Sequence, residues 1–112
     1  MVCRRCEVNK PESDFWRLRT KPKAVCKECE TNATMFRLYG ITLEDYERMF
    51  VEQSGVCAVC GFEPSNARLH IDHDHTSGVV RGLLCFNCNS ILGKVNDDTE
   101  HLHALVAYLE DF

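Results

Sequence analysis

Apolar positions along this chain recur at two different spacings, and each spacing predicts its own kind of element. Near the end, Leu102, Leu105, Val106 and Leu109 fall at i, i+3, i+4 and i+7, the stripe of an amphipathic helix. Asp97-Asp98-Thr99 stands just before them and offers an N-cap with first-turn acids, so this reads as a last helix that closes the core. Leu43, Tyr46, Met49 and Phe50 share one face behind Thr42, a candidate N-cap with Asp45 three positions on, and Ser54-Gly55 stops that helix. Over residues 30–38 the placement of Ala33, Met35, Phe36 and Leu38 fits a further helix, which Gly40 terminates. The spacing becomes that of strands at residues 68–71 and 79–83, and the polar turn Thr76-Ser77-Gly78 between them predicts a β-hairpin. Asn89-Ser90-Ile91-Leu92 then opens a helix, so the fold class is α+β.

Composition narrows the class further. With 45% hydrophobic and 27% charged residues among 112, the chain is neither collagen-like, coiled-coil nor disordered, and is too short for more than one full-sized domain. No stretch approaches the 18 or so apolar residues of a membrane span, and the opening Met-Val-Cys-Arg-Arg-Cys has no apolar run to serve as a secretory signal. The expectation is a soluble cytoplasmic protein with no membrane partner.

The eight cysteines all fall in pairs two residues apart: Cys3/Cys6, Cys26/Cys29, Cys57/Cys60 and Cys85/Cys88. Each pair presents two sulfurs to one tetrahedral ion, so two structural zinc sites of four cysteines each are the leading reading. A disulfide framework would need an oxidising compartment that nothing else in the chain supports, and a thioredoxin-like pair would need a strand-to-helix context. Three segments follow: a four-cysteine zinc ribbon over residues 1–29, a linking helix over 30–41, and a second zinc-organised body over 42–112.

Charge divides unevenly along the chain. Residues 1–37 hold nine Lys/Arg against five acids, and residues 38–112 hold four against twelve. A basic arm beside an acidic body suits contact with phosphates, the alternative being a solvated charged surface. Arg17, Arg19, Lys21 and Lys23 form a short basic run around Pro22 that reads as a loop or hairpin reaching outward. Phe15 and Trp16 are the only large aromatics of the ribbon, and Trp16 is expected to pack under its zinc.

Between the second pair of knuckles, Leu69-His70-Ile71-Asp72-His73-Asp74-His75 carries more acids and imidazoles than a hairpin requires. In a regular strand Asp72 and His73 point to opposite faces, so both serve one site only if the strand ends or bends between them. The second knuckle would tie Asn89 near the same strand end. A carboxylate and an amide oxygen suit a hard cation such as Mg²⁺ or Mn²⁺. An adjacent imidazole, with a reference pKa of about 6.5, can take a proton from an attacking water. Together these groups could hydrolyse a phosphodiester. Arg81 reads as a phosphate contact or the partner of an acid, and His70 as a partner of the site or an extra ligand. Asp74 is expected to be exposed, and His101 and His103 solvated.

The run from Leu69 to His75, followed by Gly78-Val79-Val80-Arg81-Gly82-Leu83-Leu84-Cys85-Phe86-Asn87-Cys88-Asn89, resembles the phage recombination endonuclease VII family of HNH, or His-Me finger, nucleases. The resemblance covers about residues 39–110 and includes Tyr39 to Tyr46. It implies a ββα-metal core in which Cys57, Cys60, Cys85 and Cys88 hold zinc and Asp72 and Asn89 bind the catalytic divalent ion. It further implies His73 as general base and His75 supporting the phosphate or the site. The expected function is then Mg²⁺-dependent cleavage of DNA, with branched or recombination-intermediate DNA among the candidate substrates and a homodimer compatible with it. The competing readings are a non-catalytic double-zinc nucleic-acid-binding module, and a structural interaction protein that neither binds DNA in a salt-sensitive way nor hydrolyses it.

Overall fold

The computed structural model describes residues 1–64 and 68–112. The chain divides into two compact units, Met1–Arg48 and Met49–Phe112. Among the described residues the elements are a 3-10 turn at Glu12–Asp14, helix α1 at Lys27–Tyr39, α2 at Leu43–Glu52, strands β1 at His70–His73 and β2 at Val80–Leu84, α3 at Phe86–Lys94 and α4 at Thr99–Glu110.

In the first unit the sulfurs and one aromatic make the core. Cys3, Phe15 and Cys26 are buried together, with Val25 and Cys29 packed against them. Phe15, rather than Trp16, fills the space beside the cysteines, and Trp16 is 43% exposed with the Lys27 ammonium 5.8 Å above its ring. The expectation for Trp16 is thus corrected: adjacent side chains in extended backbone face opposite ways, and only one of the two aromatics points inward. The basic run forms the expected hairpin, closed by Leu18 N–H to Lys21 O at 2.8 Å and Lys23 N–H to Trp16 O at 2.7 Å.

Helix α1 starts at Lys27, earlier than its apolar pattern predicts, because Cys26 serves as its N-cap. It ends where Gly40 takes the left-handed conformation, φ 73°, that a side chain would disfavour. Of its apolar residues only Met35 is buried, while Phe36 and Leu38 are exposed. Helix α2 opens with a reciprocal box, Asp45 N–H to Thr42 Oγ1 at 3.1 Å and Thr42 N–H to Asp45 Oδ2 at 2.9 Å. The Thr42 N–H, with the Thr42 side chain adding to it, holds the Asp45 carboxyl below the usual range. Tyr46 is the buried residue of this helix.

The second unit is organised around the antiparallel β1–β2 hairpin, followed directly by α3, which packs against both strands. Its core is Cys57, Leu69, Leu83, Leu84, Cys85 and Val95. The strands sit about two residues later than predicted at β1 and one later at β2. The outer side of β2 is satisfied by a side chain. Gln53 accepts from Leu83 N–H through Oε1, and its Nε2 donates to Leu83 O and Val56 O, all at 2.9 Å. Replacing Gln53 with alanine should leave the Leu83 amide without this acceptor and lower stability by about 1–3 kcal/mol, read as a shift in the urea midpoint. An unshifted midpoint would show that water serves that edge equally well.

Helix α3 begins at Phe86, inside the knuckle rather than after it, because the Cys85 sulfur caps it by accepting from Cys88 N–H at 3.4 Å. Helix α4 departs from expectation in the other direction. Asp98 caps it as foreseen, but none of its residues is buried, with Leu105, Val106 and Leu109 at 44, 51 and 72% exposure. The apolar stripe is present and does not close the core.

Candidate functional site

Eight free cysteines converge in two clusters, Cys3, Cys6, Cys26, Cys29 and Cys57, Cys60, Cys85, Cys88, each with its sulfurs within 4.8 Å of one another. A tetrahedral zinc with Zn–S bonds of about 2.3 Å requires sulfurs about 3.8 Å apart. Cys3 Sγ and Cys29 Sγ are 3.9 Å apart, and Cys60 Sγ and Cys85 Sγ are 3.7 Å apart, so the two clusters fit two zinc ions. Backbone amides prepare the sulfurs for that charge. Burial works against the Cys3 thiolate, but N–H groups of Cys26, Cys6 and Arg5 overcome it and hold this thiol at about 6. Cys57 is likewise held at about 6, against its burial, by the amides of Cys60, Cys85 and Val59. Burial, with the neighbouring sulfurs, pushes Cys29 and Cys88 up to about 12, so zinc displaces protons as it binds. The first cluster has one extra neighbour: Lys10 Nζ donates to Cys26 Sγ at 3.3 Å and to Glu28 at 3.2 Å, and these bonds raise the Lys10 pKa. A cation on a four-thiolate zinc offsets part of its surplus negative charge.

The hairpin holds the second constellation. In the register of β1 and β2, Asp72 faces Gly82 but His73 faces Val80, so Arg81 is the extra residue of a bulge in β2, opposite the Asp72–His73 step. The strand that bends is the bulged one, β2, and Asp72 and His73 remain successive residues of β1. A chain of contacts then connects them. Asp72, 6% exposed, receives Arg81 Nε at 2.7 Å on one oxygen and Nη2 at 2.9 Å on the other. The same Nη2 donates to Asp97 Oδ2 at 3.3 Å, that oxygen lies 3.1 Å from His75 Nδ1, and the His75 ring is 4.8 Å from the ring of His73. Asp72, Arg81, Asp97, His75 and His73 thus form one continuous cluster. The bond to His75 comes first, with Arg81 adding to it, in holding the Asp97 carboxyl below its usual range; its two carboxylate partners push the Arg81 pKa up. A buried carboxylate in such a bidentate grip is compensated rather than strained.

Other candidates are placed as follows. Asn89 is half-buried on α3, which packs on both strands, and its N–H donates to Cys85 O at 3.0 Å. Asp74 is half-buried rather than exposed and holds the hairpin loop, its Oδ1 accepting from Thr76 and Ser77 N–H at 2.8 and 2.9 Å. Those two amides lower its pKa. His70 is exposed, its ring 5.8 Å from that of Phe86, and His101 and His103 are exposed as expected. Of the basic hairpin, Arg17 pairs with Glu12 and Lys23 with Glu30, while Arg19 and Lys21 form no ion pair among the described residues. Asp97 is the member of the cluster that sequence reasoning passes over, because two adjacent acids before a helix both look like caps. Asp98 takes that role, with its Oδ1 accepting from Glu100 and His101 N–H, and so frees Asp97 for another.

A family model described as recombination endonuclease VII matches residues 32–111. The Gene 59 protein of Mycobacterium phage D29 is 39% identical over 89 residues, which cover 78% of this chain and 54% of that protein. The Gene 59 protein of Mycobacterium phage L5 is 41% identical over 73 residues, covering 63% of this chain and 44% of that one. The chain spans about half the length of the curated relatives it matches. Among solved structures, the beta-beta-alpha-Me type II restriction endonuclease Hpy99I overlays with a TM-score of 0.46 at 24% identity, over 98% of this chain and 64% of that chain.

Proposed function

This chain belongs to the recombination endonuclease VII family, and from that premise we propose that it is a phage-encoded DNA endonuclease that hydrolyses phosphodiester bonds with Mg²⁺ or Mn²⁺ in the host cytoplasm. The observation that carries the reading is the run of contacts that links the buried Asp72 carboxylate through Arg81, Asp97 and His75 to the His73 imidazole. The donor chemistry suits a hard cation: Asp72 offers a carboxylate, Asn89 on the adjoining α3 offers an amide oxygen, and Asp97 Oδ1 is a buried acceptor with no hydrogen-bond partner among the described residues.

Asp72 and Asn89 would hold the divalent ion, which when bound supplies positive charge to the scissile phosphate and the leaving oxygen. His73 takes the proton of the attacking water as it adds to phosphorus. His75, with Nδ1 beside Asp97, keeps its other ring nitrogen for a phosphate oxygen. The zinc of the second unit holds the knuckle from which α3 starts and takes no part in the chemistry. In the first unit Arg19 and Lys21, with Arg17 and Lys23 beside them, present charge to the DNA backbone. No helix among the described residues is long and apolar enough to cross a membrane.

Substrate class is tested by giving the zinc-loaded chain equal amounts of a synthetic four-way junction and a linear duplex of the same sequences, with Mg²⁺, and measuring cleavage under single turnover. Faster cutting of the junction supports a branched substrate; equal rates would make the chain a general endonuclease.

A further inference from the structure

Asp97 lies outside the Asp72–His73 motif, in the turn between α3 and α4, with its backbone at φ 58° directly after Asn96 at φ 54°. Asn and Asp tolerate the left-handed region better than other side chains, so the two together build a turn without glycine that presents the Asp97 carboxylate. Capping does not account for it, since Asp98 caps α4. The carboxylate so presented has two unlike oxygens. Oδ2 holds Arg81 and His75, whereas Oδ1 is buried without a hydrogen-bond partner among the described residues.

The charges around Asp72 indicate what this arrangement does. Arg81 covers both oxygens of Asp72, and a carboxylate with its guanidinium is neutral as a pair, offering a divalent cation no net attraction. With Asp97 on the same guanidinium, the three side chains together carry one negative charge. Building on the divalent-ion-dependent reading above, we infer that Asp97 is a positioning residue that shares the Arg81 charge with Asp72 and so leaves the cluster one net negative charge with which to attract the cation. Its unpartnered Oδ1 fits this role, because a buried oxygen without a donor is costly until a cation or its hydration shell approaches.

Mn²⁺ alone is the probe, titrated into the zinc-loaded full chain without DNA and followed by electron paramagnetic resonance of the free ion. Asp72→Asn, which should abolish the binding, identifies the site. Asp97→Asn is expected to weaken Mn²⁺ by about tenfold, the order of effect for one unit charge at a partly solvated position. Asp97→Glu, which keeps the charge, should bind close to wild type. The double variant Asp97→Asn with Arg81→Gln restores the single net negative charge and should recover most of the lost affinity. A merely structural Asp97 would not be rescued by removing a second residue, and circular dichroism with zinc content checks that each variant is folded. Wild-type affinity in Asp97→Asn, or further loss in the double variant, overturns the inference. Cleavage separates this result from the nuclease reading. If wild type cuts DNA with Mg²⁺ while Asp97→Asn leaves the half-maximal Mg²⁺ concentration unmoved, the nuclease stands and the role of Asp97 falls. If wild type neither binds Mn²⁺ nor cuts, both fall.

Discussion

Replacing Cys57 with serine is expected to cost one of two zinc ions and, with it, the folded structure of Met49–Phe112. The sulfur is buried at 2% exposure, and its thiolate is held by the Val59 N–H at 3.4 Å among other backbone donors. Among the described residues the purely apolar buried side chains of this unit are Leu69, Leu83, Leu84 and Val95, too few to order a unit of this size unaided. Structural zinc bound by four cysteines contributes about 10–16 kcal/mol in small domains, so losing one ligand should remove cooperative unfolding rather than merely shift it. Elemental analysis should fall from two zinc ions per chain to one, with loss of hairpin and α3 signal in circular dichroism. An unchanged melt with two zinc ions retained would refute the organising role of this cluster. Acid acts in the same direction. Without metal the fold already depresses Cys3 and Cys57 from 9.0 to about 6, and zinc, which binds only the thiolates, holds them deprotonated to lower pH still. The stability they add is therefore present above about pH 9 and is lost, with the zinc, once pH falls far enough below about 6 for protons to displace the metal.

Replacing His73 with alanine should leave that architecture intact and remove turnover. The residue stands at the end of β1 and is half-buried, whereas the core of this unit is built from Leu69, Leu83, Leu84 and the cysteine cluster. A general base contributes about 10²- to 10⁴-fold, so single-turnover cleavage should fall by that factor while the melting curve and zinc content stay those of wild type. His75→Ala should fall less, because His75 holds Asp97 on one nitrogen and serves the phosphate only through the other. Cutting by His73→Ala at the wild-type rate would assign proton transfer elsewhere.

Much of this organisation is legible in the sequence wherever a local rule determines it. Paired cysteines at fixed spacing yield two four-sulfur clusters, Thr42 and Asp45 form their reciprocal box, and Gly40 ends α1 in the left-handed region. Two-residue alternation alone demands a bend if Asp72 and His73 are to serve one site, and the irregularity found there lies in the opposite strand, with Arg81 of β2 as its extra residue. What escapes is set by tertiary partners. Nothing local distinguishes Phe15 from Trp16 as the inward aromatic, or reveals that Gln53 will serve Leu83, 30 positions away. Asp97 is missed for a related reason: its partners His75 and Arg81 come from the hairpin, and its left-handed backbone belongs to a turn that no glycine marks. The α4 stripe shows the converse, since periodicity reports an apolar face without reporting what covers it.

The central claim is that the Asp72–His73 cluster carries cation-dependent hydrolysis on a frame held by zinc. Its most direct test is conversion of supercoiled plasmid by wild type and His73→Ala, each with Mg²⁺ and with a chelator mild enough to leave zinc in place. Nicked or linear product from wild type with Mg²⁺ alone, and none from the folded variant, is the predicted result. Intact plasmid in every lane, with both proteins binding DNA in a salt-sensitive way, would contradict catalysis and make the chain a double-zinc nucleic-acid-binding module.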